Sequence, residues 1–257
     1  MSDPAAVAVT NKTTGPVLEG DKVFAVCEIT EFGNPEVVHD FYWLGPDGRM
    51  ANGGLLLIGN VTRQDNGTYM CVVENMYFDN STGRGNVSYD VNIHYEPLVR
   101  IEDSNGGTAI EGDVYLARCI VDANPAGDIV WIDPNDDIVS NSQTLVITNS
   151  AISDAGTYTC HANNTYFNGH IGYGNSSIFV DVQYAPEINN FNEQIIVIED
   201  GNFTVICSAH ANPLANVTWM NDTGCLTDGG ILTCEEVHRQ QSGVYIVKRP
   251  IDFGMVP

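Results

Sequence analysis

The sequence predicts an all-β protein built from tandem β-sandwiches, two of them complete and a third truncated. Short runs of alternating apolar and polar residues are separated by clusters of Gly, Asn, Asp and Pro, a pattern typical of strands and turns. No helical period persists for about ten residues. A set of motifs recurs at a period of about ninety residues, the size of a small domain rather than of a solenoid unit. Many short strands with frequent turns indicate sandwiches or barrels.

The repeat is marked by residues around the cysteines. A Glu lies eight residues before a Cys in all three copies, at Glu19/Cys27, Glu111/Cys119 and Glu199/Cys207. An Asn-Pro dipeptide follows at 34–35, 124–125 and 212–213, and then a Trp at Trp43, Trp131 and Trp219. Two copies close with Asp-x-Gly-x-Tyr-x-Cys, over 65–71 and 154–160. We therefore predict domains at 1–95, 96–184 and 185–257.

Each copy also carries the alternation of half-buried strands. The inward residues before the first cysteine are Val23, Ala25, Cys27, with equivalents Tyr115, Ala117, Cys119 and Phe203, Val205, Cys207. Leu56 and Ile58 alternate before the first closing motif, as Leu145 and Ile147 do before the second. No Gly/Ser spacer separates the copies, so we expect a semi-rigid array.

The combination of Cys, Trp and Asp-x-Gly-x-Tyr-x-Cys resembles the immunoglobulin superfamily, in particular the I-set and C2 arrays of cell-adhesion, hemicentin-like and sialoadhesin-like proteins. The resemblance implies a disulfide across each complete sandwich, with the Trp packed on the bridge and a tyrosine corner two residues before the second cysteine. The residues implied are Cys27, Trp43, Tyr69, Cys71 in the first copy, Cys119, Trp131, Tyr158, Cys160 in the second, and Trp219 in the third.

The third copy departs from this pattern. Val247 occupies the position of the second cysteine, so Cys207 loses the partner that the family implies, and strand G cannot form as it does in the other copies. Gly229-Gly230 predicts a two-residue hairpin in which 228 faces 231 and Cys225 faces Cys234 at disulfide distance. We favour that bridge, with Cys207 left unpaired. The alternative is that Cys234 is a small buried apolar residue.

The net charge of the chain indicates which partners it can bind, and its N-glycosylation sequons indicate where the protein is located. The net charge of −23 excludes nucleic acid and anionic lipid as partners and opposes self-association without forbidding it. Asn-x-Ser/Thr sequons exceed the chance expectation of about three, which indicates N-glycosylation and an extracellular or cell-surface location. They lie at Asn11, Asn60, Asn66, Asn80, Asn86, Asn163, Asn175, Asn202, Asn216 and Asn221. Because the segment after Met1 does not read as a signal peptide, we expect the sequence to be a piece of a longer secreted or membrane-anchored protein, without that protein's leader or membrane anchor.

The aromatic pairs after the second cysteines and an acidic turn are candidate binding sites. The aromatic pairs Tyr77-Phe78 and Tyr166-Phe167 follow the second cysteines and are candidates for protein contacts, although packing on their own hairpins is the favoured alternative. The acidic turn 133–137 has oxygen ligands for calcium but lacks EF-hand spacing, so a solvated turn is favoured. We expect no metal, no cofactor and no enzymatic activity, because the sequence has no catalytic or phosphate-binding motif.

The resulting hypothesis is an extracellular immunoglobulin-like protein that mediates cell adhesion or cell-surface recognition through protein–protein contacts. One alternative is a soluble immune-type receptor that binds a glycan or a pathogen ligand. Another is a cytosolic structural array with reduced cysteines, which would account for the absence of a leader but not for the sequons.

Overall fold

The strands follow from the alternation in the sequence, and they enclose three separate hydrophobic cores. The computed structural model describes residues 4–34, 38–48, 50–188, 195–220 and 225–248. The cores are built around Trp43, Trp131 and Trp219. We refer to the structures around them as the first, second and third sandwich. The all-β prediction is confirmed.

The first sandwich consists of two sheets, ordered β1-β3-β6 and β5-β4-β7-β8. Its strands are β1 (Ala6–Lys12), β2 (Val17–Leu18), β3 (Lys22–Glu31), β4 (Val38–Leu44), β5 (Met50–Asn52), β6 (Leu55–Gly59), β7 (Gly67–Met76) and β8 (Thr82–Val91). A 3-10 turn (Arg63–Asp65) precedes β7. Val23, Ala25 and Cys27 on β3 are buried, as their alternation predicts.

The second sandwich repeats this arrangement, with sheets ordered β14-β11-β9 and β10-β16-β15-β12-β13. Its strands are β9 (Ile93–Asp103), β10 (Thr108–Ile110), β11 (Tyr115–Asn124), β12 (Asp128–Ile132), β13 (Ile138–Ser140), β14 (Thr144–Ile147), β15 (Gly156–Thr165) and β16 (Ile171–Ile188). A 3-10 turn (Ile152–Asp154) precedes β15. The sheet β5-β4-β7-β8 adds the short strand β5 to the three strands of a constant-type CFG sheet, and the corresponding sheet of the second sandwich adds β13 and the parallel strand β10.

The third sandwich has shorter strands. They are β17 (Phe203–Ile206), β18 (Ala209–Asn212), β19 (Thr218–Met220), β20 (Leu226–Asp228), β21 (Ile231–Cys234) and β22 (Ile246–Lys248), with a 3-10 turn at Arg239–Gln241. The hairpin register has Asp228 opposite Ile231, as Gly229-Gly230 predicts. The prediction that strand G cannot form as in the other copies concerns the residues after Val247, of which 249–257 lie outside the described residues.

Disulfides link the two sheets of the first and second sandwiches, and a third disulfide joins a hairpin of the third. Cys27–Cys71 and Cys119–Cys160 span 44 and 41 residues, and Cys225–Cys234 joins the hairpin across 9. Cys207 is the free cysteine and is buried in the third core. Trp43 lies opposite Cys71, Trp131 opposite Cys160, and Trp219 opposite Val247. Val247 therefore occupies the strand position of the missing cysteine.

The polar ends of the core aromatics are satisfied in the same way in each sandwich. The indole N–H groups donate to carbonyl oxygens of Gly54, Gln143 and Gly230 at 3.1, 3.4 and 2.8 Å. The tyrosine corner is also present three times. The hydroxyls of Tyr69, Tyr158 and Tyr245 donate to the carbonyl oxygens four residues upstream at 3.1, 3.1 and 2.7 Å. The third copy thus keeps the local architecture although it lacks the bridge between its sheets.

Candidate functional site

Two joints connect the sandwiches, and neither contains a flexible spacer. Strand β9 begins by pairing in parallel with β2 of the first sandwich and continues as a strand of the second, where it pairs with β11. Strand β16 likewise pairs with β15 in the second sandwich and with β18 in the third. The predicted boundaries at 95/96 and 184/185 therefore fall within continuous strands, which restricts bending between the sandwiches.

The Asn of the Asn-Pro motif forms a hydrogen-bonded latch at the first joint. Asn124 Nδ2 donates to the Ile93 carbonyl oxygen at 2.7 Å and to Asn92 Oδ1 at 2.8 Å. Asn66 lies at the same place, because its Oδ1 accepts from the Ile93 N–H at 2.8 Å. One amide side chain at the end of β11 thus holds the residues at which β8 passes into β9.

The second joint repeats the latch with equivalent residues. Asn212 Nδ2 donates to Asp181 Oδ1 at 2.7 Å and to the Val182 carbonyl oxygen at 2.9 Å. In both copies the latch Asn precedes a proline whose peptide bond is cis. Sequence reasoning used Asn-Pro only as a marker of the repeat and missed this role.

A histidine and two aromatic residues complete the first joint. The buried His94 accepts a hydrogen bond at Nδ1 from the Phe167 backbone N–H, 3.1 Å away. Its ring centroid lies 5.5 Å from that of Phe167 and 6.0 Å from that of Tyr166. Burial lowers the pKa of the imidazole, and the contact with an N–H donor requires Nδ1 to carry no proton. His94 therefore acts as a neutral acceptor between two sandwiches.

Polar contacts extend the joint along one side. Asn164, which is buried, donates from Nδ2 to the carbonyl oxygens of Tyr95 and Pro125, both at 2.9 Å. The Arg63 guanidinium of the first sandwich lies 4.7 Å from the centroid of the Tyr95 ring and 3.6 Å from the Asp122 carboxylate of the second. Desolvation by burial and the hydrogen bond to Asp122 raise the pKa of Tyr95, so it remains a neutral donor.

The four predicted aromatic contact residues occupy different environments. Tyr77 and Tyr166 lie over glycines of their own hairpins; a Cβ at Gly172 would lie 2.7 Å from the Tyr166 hydroxyl oxygen. Phe167 belongs to the joint. Phe78 is 93% exposed. The aromatic pairs are therefore not equivalent surface anchors, and Phe78 alone of the four projects freely into solvent.

The sequons lie mainly on exposed positions. Asn66 and Asn163 are half-buried, and Asn221 lies outside the described residues. The remaining seven are exposed, at Asn11, Asn60, Asn80, Asn86, Asn175, Asn202 and Asn216. Glycosylation stays a prediction, and Asn66 is the sequon whose side chain already serves the joint.

The acidic turn is held by its own backbone. Asp133 Oδ1 accepts from the N–H groups of Asn135 and Asp137 at 2.9 and 2.8 Å, and these donors lower the pKa of the carboxyl. Within the ranges that the structure describes, no group of three or more His, Cys, Asp or Glu side chains is placed to hold a metal ion. No helix in those ranges is long and apolar enough to span a membrane.

Comparison with known proteins finds similarity to immunoglobulin-domain proteins. Residues 97–164 match a family model described as an immunoglobulin domain. The chain is 29% identical to rat Kin of IRRE-like protein 1, 25% to mouse neural cell adhesion molecule 1 and 24% to human hemicentin-1. These matches cover 88%, 77% and 77% of this chain. None of the three names an enzymatic activity.

The chain spans only a part of each relative, 27% of Kin of IRRE-like protein 1, 18% of neural cell adhesion molecule 1 and 4% of hemicentin-1. The similarity is nevertheless spread over most of this chain and agrees with the three Trp-centred cores, the disulfides between sheets and the tyrosine corners described above. The chain thus resembles the immunoglobulin superfamily, as its sequence predicts, and residues 97–164 match the immunoglobulin-domain model.

Proposed function

We propose that this chain acts outside the cell or at the cell surface and mediates cell adhesion or recognition through protein–protein contacts. The observation that carries the proposal is the similarity, over 77–88% of the chain, to three proteins of which one is named a cell adhesion molecule. Fold alone would not support it, because immunoglobulin sandwiches serve many functions.

The chemistry of the chain supports an extracellular site of action. Two disulfides link the sheets of the first and second sandwiches, and such bonds persist in oxidising compartments. Seven sequons are exposed and accessible for glycans. Together they favour a secreted or surface protein over a cytosolic structural array.

The geometry supports contact with another protein. Latched joints hold the sandwiches in a restricted arrangement, which lowers the entropic cost of presenting a surface to a partner. Phe78 offers an exposed aromatic ring at a loop tip, and aromatic residues are enriched among interface anchors.

The proposal is tested with fluorescent multimers of the full chain, made in a glycosylating host and applied to cells from the source tissue. Binding that is lost after protease treatment of the cells supports a protein partner. Binding lost only after enzymatic removal of cell-surface glycans contradicts the proposal and favours a glycan-binding receptor. Absence of both cell binding and clustering of chain-coated beads also contradicts it.

A matched pair of variants tests the loop tip. Phe78→Ser should weaken binding several-fold, whereas Val244→Ser, which alters a residue 90% exposed in the third sandwich, should not. Equal binding by both variants and wild type would remove the loop tip from the proposed contact.

A further inference from the structure

The outer face of the sheet β14-β11-β9 in the second sandwich combines apolar and charged side chains. Leu98, Leu116 and Val146 are 61%, 53% and 51% exposed, although all three lie on strands of this sheet. Leu116 lies directly opposite Val146, and Arg118 lies opposite Glu102. Ile120 lies opposite Arg100 in the next row of the same face. We call this set of outward residues the β9–β11–β14 face.

The charge of this face differs from that of the surrounding sandwich. Residues 96–184 contain twelve acidic and two basic residues, a net charge of −10. Both basic residues, Arg100 and Arg118, lie on the β9–β11–β14 face together with Glu102 and Asp122. Arg100 is ion-paired with Glu102, and Asp122 with Arg63 of the first sandwich. The face is therefore electrically neutral, with positive and negative groups side by side.

The sequons of the second sandwich lie on the opposite sheet. Asn163 pairs with Tyr173, and Asn175 pairs with His161, on the outer side of β15 and β16. Glycans on these residues would cover that sheet and leave the β9–β11–β14 face open. The first sandwich has a similar apolar pair, Phe24 opposite Leu57, but there Asn11 on β1 and Asn60 just after β6 place sequons at the edges of the sheet.

We propose that the β9–β11–β14 face is a self-association surface whose occupant is the same face of a second copy of this chain. Two copies repel each other elsewhere because the chain carries −23 charges. On this face a guanidinium of one copy can meet a carboxylate of the other while the leucines and Val146 lose contact with water. This inference deepens the proposed function and rests on it, because glycans cover the opposite sheet only if the protein is extracellular.

The size of the face sets the strength of the contact. Three strands about 4.8 Å apart and four residue rows about 7 Å apart give roughly 400 Å² per copy. A symmetric pair would bury about 800 Å² in total, half of a standard protein–protein interface of about 1,600 Å². We therefore expect a weak, reversible dimer that becomes important when many copies are presented together.

Sedimentation velocity of the full glycosylated chain over a concentration series tests the proposal. The weight-average sedimentation coefficient of the wild type should rise with concentration. Leu116→Glu should remain at the monomer value over the same range, whereas Phe179→Glu, the same charge change on the opposite sheet, should behave like wild type. Both residues are more than half exposed, and matching thermal unfolding curves confirm that the variants fold.

A charge exchange provides a second test. Arg118→Glu and Glu102→Arg should each weaken association, and the double variant should restore it because complementarity returns at unchanged net charge. A wild type that stays monomeric, or a Leu116→Glu chain that associates like wild type, overturns the proposal. If Leu116→Glu instead abolishes binding of a monomeric chain to cells, the face serves another partner. That result refutes self-association and leaves the proposed function standing.

Discussion

Asn124 Nδ2 lies 2.7 Å from the carbonyl oxygen of Ile93, across the joint between the first and second sandwiches. Asn212 makes the equivalent contact with Val182 at 2.9 Å. The same residue type, at the last position of β11 and of β18, therefore closes both joints of the chain. The contacts that form each joint are thus made by residues that recur with every repeat, and not by a separate linker sequence.

Removal of the latch should loosen one joint without unfolding either sandwich. Asn124→Ala leaves the Ile93 carbonyl oxygen and Asn92 Oδ1 without this donor, at a cost of about 1–2 kcal/mol to the joint. Small-angle X-ray scattering should show a broader distribution of interatomic distances. Asn141→Ala, at an exposed position between β13 and β14, is the matched control. An unchanged distribution for Asn124→Ala would show that the continuous strand alone sets the angle.

The disulfides should contribute unequally to stability. In the chain-entropy model a bridge that closes 41 residues contributes about 4 kcal/mol, and one that closes 9 contributes about 2.5 kcal/mol. Cys119→Ala/Cys160→Ala should therefore lower the free energy of unfolding of the second sandwich more than Cys225→Ala/Cys234→Ala lowers that of the third. Urea titrations followed by tryptophan fluorescence measure both, because each core holds one Trp. Equal or reversed losses would contradict the loop-length argument.

The sequence predicted the elements that depend on local spacing. The alternation before Cys27, the tyrosine corners and the hairpin register around Gly229-Gly230 all follow from residues close together in the chain. The register in turn places Cys225 beside Cys234, which are bonded in the structure.

The joints could not be predicted in this way. Asn124 and Ile93 are 31 residues apart, and they meet only because the end of β11 pairs with the start of β9, where Asn124 lies opposite Tyr95. His94 is a lone histidine in the sequence, and nothing local indicates that Phe167 approaches it. The available signal was the recurrence of Asn-Pro in every copy together with Asn92 and Asp181 at equivalent positions, three residues before the junction tyrosines.

The third sandwich should regain its missing bridge by one substitution. Val247 lies opposite Trp219, as the second cysteine does in the other sandwiches, and packs on the core that holds Cys207. Val247→Cys should therefore form a disulfide with Cys207 that closes about 40 residues and contributes up to about 4 kcal/mol. Thiol titration under denaturing conditions should fall from one free thiol per chain to none, and the melting temperature should rise.

Val247→Ala serves as the control for that experiment, since it removes the valine without adding a thiol. It should keep one free thiol and lower the melting temperature. In the native wild type, Cys207 should react slowly with alkylating reagents, because it is buried and burial raises the pKa of its thiol. A free thiol count of two in Val247→Cys would show that the two sulfurs do not reach each other.

The first joint should weaken in mild acid because His94 must stay neutral to accept from the Phe167 N–H. Burial lowers the pKa of His94, so the unfolded or opened state binds more protons, and the joint loses stability as pH falls below about 6.5. Tyr166 and Tyr95, whose pKa values are raised, do not titrate in this range. The hydrogen-exchange protection factor of the Phe167 amide, which already corrects for intrinsic exchange, should fall between pH 7 and about 5.5. His94→Gln places at this joint the residue type found at the equivalent position, 183, of the second joint, and it removes the imidazole. The protection factor of the Phe167 amide in this variant should therefore not vary with pH. A slope that survives in His94→Gln would assign the pH dependence to another group.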